Sequence, residues 1–182
     1  MLIVTGGTAK GKRLKLPDKR ITRPTAQIIR ESLFGILSNF DFNINQVIDL
    51  YAGSGLLGIE ALSRGADHCL FIESNRNVCK LIKKNLLSTG FIHKARVKNA
   101  LIGKWQYERN NLSTLILADP PFNDETKWTS IEKSLGDLSQ CDNVIFVIEH
   151  FHKDYAPKEI SGLGLRINRR HGDSVISFYM QI

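Results

Sequence analysis

From Val47 to Glu149, short apolar runs alternate with stretches of helical period, and that alternation constrains the fold more than any other feature of the chain. The runs are VIDL (47–50), CLFIE (69–73), ARVK (95–98), LILAD (115–119) and VIFVIE (144–149). Helical patterns are expected over 56–64, over 75–87 and around 128–138. Strands this short and apolar, joined through helices, belong to a mostly parallel sheet covered on both faces. LRINRR (165–170) and SVISFY (174–179) then face each other across His171-Gly172-Asp173, which predicts a closing antiparallel hairpin. The expected class is α/β.

The segment ahead of this pattern differs in character. LIVT (2–5) and RLKL (13–16) flank the turn GGTAKGK and predict a small β-hairpin. Thr25 is placed to cap a helix running to about Leu37, with Ile28, Ile29, Leu33, Phe34, Ile36 and Leu37 on its apolar face. We therefore expect residues 1–40 to form a basic hairpin-and-helix extension packed on a domain of residues 41–182. The charge is concentrated in the extension. Residues 1–31 hold Lys10, Lys12, Arg13, Lys15, Lys19, Arg20, Arg23 and Arg30 against only Asp18 and Glu31, a net +6 of the chain's +7. A basic arm on a near-neutral domain suggests a polyanion partner.

Other features exclude function classes. With 182 residues and 42% hydrophobic content the chain can bury one good core. It contains no apolar run of about 18 residues and no secretory leader, so a soluble, cytoplasmic protein is expected. Cys69, Cys79 and Cys141 form no C-x-x-C pair and are expected to be reduced. His68, His93, His150, His152 and His171 show no metal-ligand spacing with them, and no metal is expected.

In such sheets ligands bind beyond the carboxyl ends of the strands, and these ends carry the distinctive residues. The first strand runs into Asp49-Leu50-Tyr51-Ala52-Gly53-Ser54-Gly55-Leu56-Leu57-Gly58, a glycine loop that permits a tight turn and close approach of a ligand to the backbone. The second ends in Glu73, where a carboxylate can accept both hydroxyls of a ribose. A dinucleotide would suit this much, but the acid Asp49 would repel a pyrophosphate and attract a sulfonium or ammonium. S-Adenosylmethionine carries both cations at one end and a ribose and adenine at the other. Asp49 and the loop Tyr51, Ala52, Gly53, Ser54 and Gly55 can hold its charged end, Glu73 its ribose, and the Asn99-Ala100 turn can flank its adenine.

The fourth strand ends in Asp119-Pro120-Pro121-Phe122. Two prolines cannot continue a ladder, so the strand stops and a stiff turn follows. With RPT (23–25), RESLF (30–34), DLYAGSGLLGIEALSRGA (49–66), FIE (71–73), the strand ending at Glu149 and GDSVISFY (172–179), DPPF resembles the RsmD-type RNA methyltransferases nearly from end to end. The resemblance implies a Rossmann-like methyltransferase sheet, S-adenosyl-L-methionine as cofactor, and methylation of a guanine N2 amine in small-subunit (16S) ribosomal RNA. The partner implied is that RNA or the assembled subunit, with no membrane and a monomeric protein. Tyr51 stands where the family often has Phe. His171 stands where many relatives have Tyr.

The DPPF turn then acquires a chemical role. An exocyclic guanine amine is a poor nucleophile because its lone pair is delocalised into the ring. The Asp119 carboxylate and the Pro120 carbonyl can each accept one of its hydrogens, and Phe122 can stack on the base, worth about 1–3 kcal/mol. Lys10, Lys12, Arg13, Lys15, Arg23 and Arg30 are the candidate RNA contacts. Two other readings stay open: an amine acceptor in DNA or another RNA, and a non-catalytic RNA-binding assembly factor.

Overall fold

The computed structural model describes residues 2–17 and 27–181. A short antiparallel ribbon, β1 (Leu2–Ile3) and β2 (Arg13–Leu14), precedes helix α1 (Gln27–Leu37). The alternating segment follows as β3 (Gln46–Leu50), α2 (Leu56–Ser63), β4 (His68–Glu73), α3 (Arg76–Thr89), β5 (Ala95–Asn99), β6 (Thr114–Ala118), α4 (Lys127–Leu135) and β7 (Val144–Phe151). The chain closes with β8 (Glu159–Ile160) and the hairpin β9 (Leu163–His171) and β10 (Ser174–Met180). Eight of these strands form one sheet in the order β5-β4-β3-β6-β7-β10-β9-β8. The first five run parallel, and β10, β9 and β8 are antiparallel additions. This is the Rossmann-like arrangement expected. The strand β8 is new: two residues carry no periodicity to detect.

Local chemistry explains the boundaries. Asn75 caps α3 by accepting from the backbone N–H groups of Asn77 and Val78, and Gly90 ends the helix at φ 86°. Gly58 lets α2 lie close on the sheet, since a Cβ there would stand 2.4 Å from the Phe71 ring. One core face holds the hairpin, α1, α2 and α3, with Leu14, Phe34, Ile59, Ile82 and Val147 buried together. The other holds α4, with Ile116, Ile131, Phe146 and Tyr179. Both faces of the central strands are covered, as their continuous apolar runs require.

The N-terminal ribbon is fastened to this domain through buried polar groups. Glu60, fully buried on α2, accepts from the Thr5 backbone N–H at 2.8 Å and the Thr5 hydroxyl at 2.7 Å. Ser63 donates to Gly6 O at 2.6 Å and accepts from Ala9 N at 2.8 Å. On α3, Asn85 bonds both backbone groups of Lys15 and also donates to Ser54 O, tying the ribbon to the glycine loop. Each bond to a charged acceptor is worth about 1.5–3 kcal/mol.

Helix α1 departs from its expected pattern. Ile28 is 62% exposed and Arg30 only 2%, because the face turned to the sheet is Ile29, Arg30, Leu33, Phe34 and Leu37. The Arg30 guanidinium donates to Ile3 O at 2.9 Å and lies in the field of Glu60, Glu31 and Glu149; burial lowers its pKa. Thr25 and the RPT stretch lie outside the described residues.

Candidate functional site

The winding of the sheet reverses between β3 and β6. The chain moves outward from β3 to β4 and β5 on one side, then resumes with β6 and β7 on the other. A crevice beyond the carboxyl ends is the expected ligand site at such a reversal. There the structure has a cavity of about 780 Å³, within the range of small-molecule sites. Leu50 pairs with Ile72 and with Ala118, and Ala118 with Ile148. The residues that follow, Tyr51, Glu73, Asp119 and Glu149, therefore come off neighbouring strands at one level, and all four line the cavity.

The glycine loop is built by backbone strain in permitted places. Gly53 and Gly55 have φ 54° and 78°, and Tyr51 adopts φ 57° although it has a side chain. That conformation costs a non-glycine residue about 1–2 kcal/mol, and such strain concentrates at functional sites. It turns the loop over the cavity, so that Ala52, Gly53 and Ser54 line the wall. The Tyr51 phenol is half-buried, and burial, with the carboxylate of Asp124 alongside, pushes its pKa up. Gly55 does not line the cavity; at φ 78° it lets the chain enter α2, where a Cβ would stand 3.0 Å from Ile82.

The carboxylates give the cavity its field. Asp49 is 1% exposed and accepts from Gly58 N at 2.9 Å. Burial raises its pKa well above the ordinary carboxylate range, and the charges of Asp119 and Glu73 raise it further, against the Gly58 bond. A cationic group lodged among these three would relieve the repulsion; a pyrophosphate would add to it. Glu73 accepts from Gly53 N at 3.0 Å and from Asn75 N at 2.7 Å, which fixes its plane while each oxygen retains a second acceptor lone pair. The fit to a sulfonium, an ammonium and a ribose diol is good. Among the described residues no three His, Cys, Asp or Glu side chains converge to hold a metal ion. No helix there is long and apolar enough to cross a membrane.

The adenine-flanking turn is only half as expected. Ala100 lines the cavity beside Leu101 and Ile102, whereas Asn99 does not. The Asn99 amide donates instead to Glu73 O at 2.9 Å and Ser74 O at 2.7 Å. It braces the end of β4, where the chain leaves the ladder.

Asp119, Pro120, Pro121 and Phe122 line the same cavity. The Phe122 ring lies 5.6 Å from that of Phe151 at the end of β7. A residue with no sequence signal joins these two loops. Lys127, 3% exposed, pairs with Asp154 at 3.1 Å, donates to Asp124 O at 2.8 Å and reaches Phe122 O at 3.5 Å. Asp154 in turn accepts from Phe151 N at 3.2 Å. A lysine in a polar helix start gives no hint of burial. Glu149, the strand-end acid of β7, is 6% exposed and accepts from the Ser174 hydroxyl at 2.7 Å.

The basic arm divides. Lys10, Lys12, Arg13 and Lys15 are exposed on the ribbon, whose neighbours Leu2 and Leu16 border the cavity. Arg30 does not join them: its burial between ribbon, α1 and α2 removes it from a phosphate-gripping surface. Arg23 lies outside the described residues.

A model of the family described as Conserved hypothetical protein 95 matches residues 2–180. The chain belongs to this family, that of the RsmD-type proteins. Ribosomal RNA small subunit methyltransferase D of Escherichia coli (strain K12) is 37% identical over 119 residues, which are 65% of this chain and 59% of that one. The Bacillus subtilis protein YlbH is 29% identical over 97% of either chain. The solved structure of Escherichia coli yhhF superposes with a TM-score of 0.77 at 27% identity, over 99% of this chain and 97% of that one. The RsmD-type fold thus spans the whole described chain, ribbon and closing hairpin included.

Proposed function

We propose that this chain methylates the N2 amine of a guanine in small-subunit ribosomal RNA, using S-adenosylmethionine. The observation that carries the reading is one cavity lined both by a cation-seeking pair, Asp49 and Glu73, and by an amine-seeking turn, Asp119 to Phe122, in a chain of the RsmD-type family. Methylation of ribosomal RNA is named for the Escherichia coli relative; the guanine N2 target and the site roles are our assignment. S-Adenosylmethionine, when bound, supplies an electrophilic methyl group on a sulfonium. Asp49 is assigned to its cationic end, Glu73 to its ribose and Ala100 to its adenine.

Asp119 and the Pro120 carbonyl accept the two amine hydrogens and favour a pyramidal nitrogen with its lone pair available for the methyl group. Phe122, seated on Phe151, stacks on a base that has to leave its own helix to enter. Asp119 would accept one amine proton, or leave it to solvent, when the amine takes the methyl group that the sulfonium would supply. Most of the acceleration comes from holding the two reactants in line. The exposed lysines and arginine of the ribbon are assigned to the RNA backbone. The working compartment follows from the substrate and is the cytoplasm.

The test uses labelled S-adenosylmethionine with unmodified small subunits or their RNA, followed by digestion to nucleosides. Label in N2-methylguanosine is the expected result. Label in a methylated adenine, or none at all, overturns the reading. Asp119→Ala should reduce turnover far more than cofactor affinity, and Asp119→Asn, which keeps one acceptor oxygen, should reduce it less. Equal losses in both quantities for Asp119→Ala would remove Asp119 from the amine.

A further inference from the structure

We infer that Glu149 reads the target base, accepting the guanine N1–H while Asp119 accepts from the adjacent N2 amine. The inference rests on the guanine assignment above and adds a specificity-determining residue to it. The strands β6 and β7 are parallel, with Leu117 beside Val147 and Ala118 beside Ile148. Continuing that register by one residue sets Asp119 next to Glu149, about 4.8 Å apart along the sheet. Side-chain parity sets both on the same face. Leu115 and Leu117 share one core with Ile145 and Val147, while Ile116 and Ala118 share the other with Phe146 and Ile148. Both acids line the cavity.

Glu149 is also oriented. Its Oε1 accepts from the Ser174 hydroxyl at 2.7 Å, across the β7–β10 pairing, and the side chain is 6% exposed. Arg30 lies within its field. The cavity therefore presents two adjacent carboxylates on one wall, beside the Phe122 ring. Guanine is the RNA base whose pairing edge offers donors at two neighbouring positions, N1–H and the N2 amine. Adenine turns a lone pair toward a carboxylate at N1, and the pair of acids would repel it. A base-edge contact of this kind discriminates by about five- to 150-fold.

The test uses the full chain saturated with S-adenosylhomocysteine and short uridine RNAs carrying one central guanine, inosine or 2,6-diaminopurine, with affinities measured by saturation-transfer NMR. Inosine keeps N1–H and lacks the N2 amine. Diaminopurine keeps the N2 amine and exposes a lone pair at N1. The wild-type protein should bind the guanine RNA more tightly than either analogue. Glu149→Gln can still accept from Ser174, and its amide can donate to an N1 lone pair. It should lose affinity for guanine and inosine RNAs and close the gap to diaminopurine by about tenfold or more. Asp119→Asn should instead weaken guanine and diaminopurine and spare inosine. Wild-type binding that does not favour guanine over diaminopurine, undetectable binding included, overturns the role of Glu149. An unchanged guanine-to-diaminopurine ratio in Glu149→Gln does so too. Either result leaves the reaction itself to be judged by the nucleoside digest, so the two failures are distinguishable.

Discussion

Replacing Asp49 with Asn tests the electrostatic design of the cavity. The carboxylate is buried, holds one backbone bond from Gly58 and stands in the field of Asp119 and Glu73. Its folded pKa is therefore raised, so the fold prefers it protonated. The sign of the linkage follows. The associated stability is fully present below the unfolded value of about 3.9 and is lost as pH rises through the folded value. Each unit of elevation removes about 1.4 kcal/mol of stability at pH above that window. An asparagine side chain cannot ionise, and its amide oxygen still accepts from Gly58. Its NH₂ adds a buried donor at a cost of about 1–3 kcal/mol, but that cost does not change with pH. The difference in melting temperature, Asp49→Asn minus wild type, should thus rise between pH 4 and pH 8. Binding should move the other way. Without its charge-assisted bond to the cationic end of the cofactor, the variant should bind more weakly by about 1.5–3 kcal/mol, roughly ten- to 150-fold in Kd. Differential scanning calorimetry across pH and titration calorimetry with S-adenosylmethionine read the two effects. A pH-independent difference in melting temperature together with unchanged cofactor affinity would refute the reasoning.

Glu73→Ala should weaken cofactor binding by about 1.5–3 kcal/mol and also loosen the glycine loop, since Gly53 N and Asn75 N lose their acceptor; unchanged affinity in calorimetry of the folded variant would take Glu73 out of the site. Changing Lys10, Lys12, Arg13 and Lys15 together to Gln should flatten the salt dependence of RNA binding by about 0.7 in log–log slope for each phosphate left without its cation. Melting temperature and cofactor affinity should hold, because Asn85 anchors the Lys15 backbone and not its side chain; an unaltered slope would make the arm a solvated edge. Lys127→Met should cost about 1–3 kcal/mol of stability by removing the cation beside Asp154 and the donor to Asp124 O. Among molecules still folded it should raise KM for RNA and spare cofactor affinity, and Lys127→Arg should recover part of the loss. Equal effects on RNA and cofactor would reduce Lys127 to a packing role.

The sequence by itself determined the sheet, its strand ends and the chemistry placed on them. Those features are local: an apolar run of strand length, a glycine loop free to take positive φ, a carboxylate, and two prolines that end a ladder. Asp49, Glu73, Asp119, Pro120 and Phe122 were legible because each sits next to such a signal, and all line one cavity. Tertiary structure alone decided which neighbours those residues face. Asn99 turns to the carbonyls of Glu73 and Ser74 and not to the cavity. Arg30 is buried although it lies in a basic segment, because α1 presents its guanidinium to the ribbon backbone and to acids on other elements. Lys127 joins two loops separated by the whole of β7. The adjacency of Asp119 and Glu149 comes from the β6–β7 register. Periodicity assigns each residue to a face of its own strand; only the pairing of strands far apart in the chain sets two carboxylates side by side.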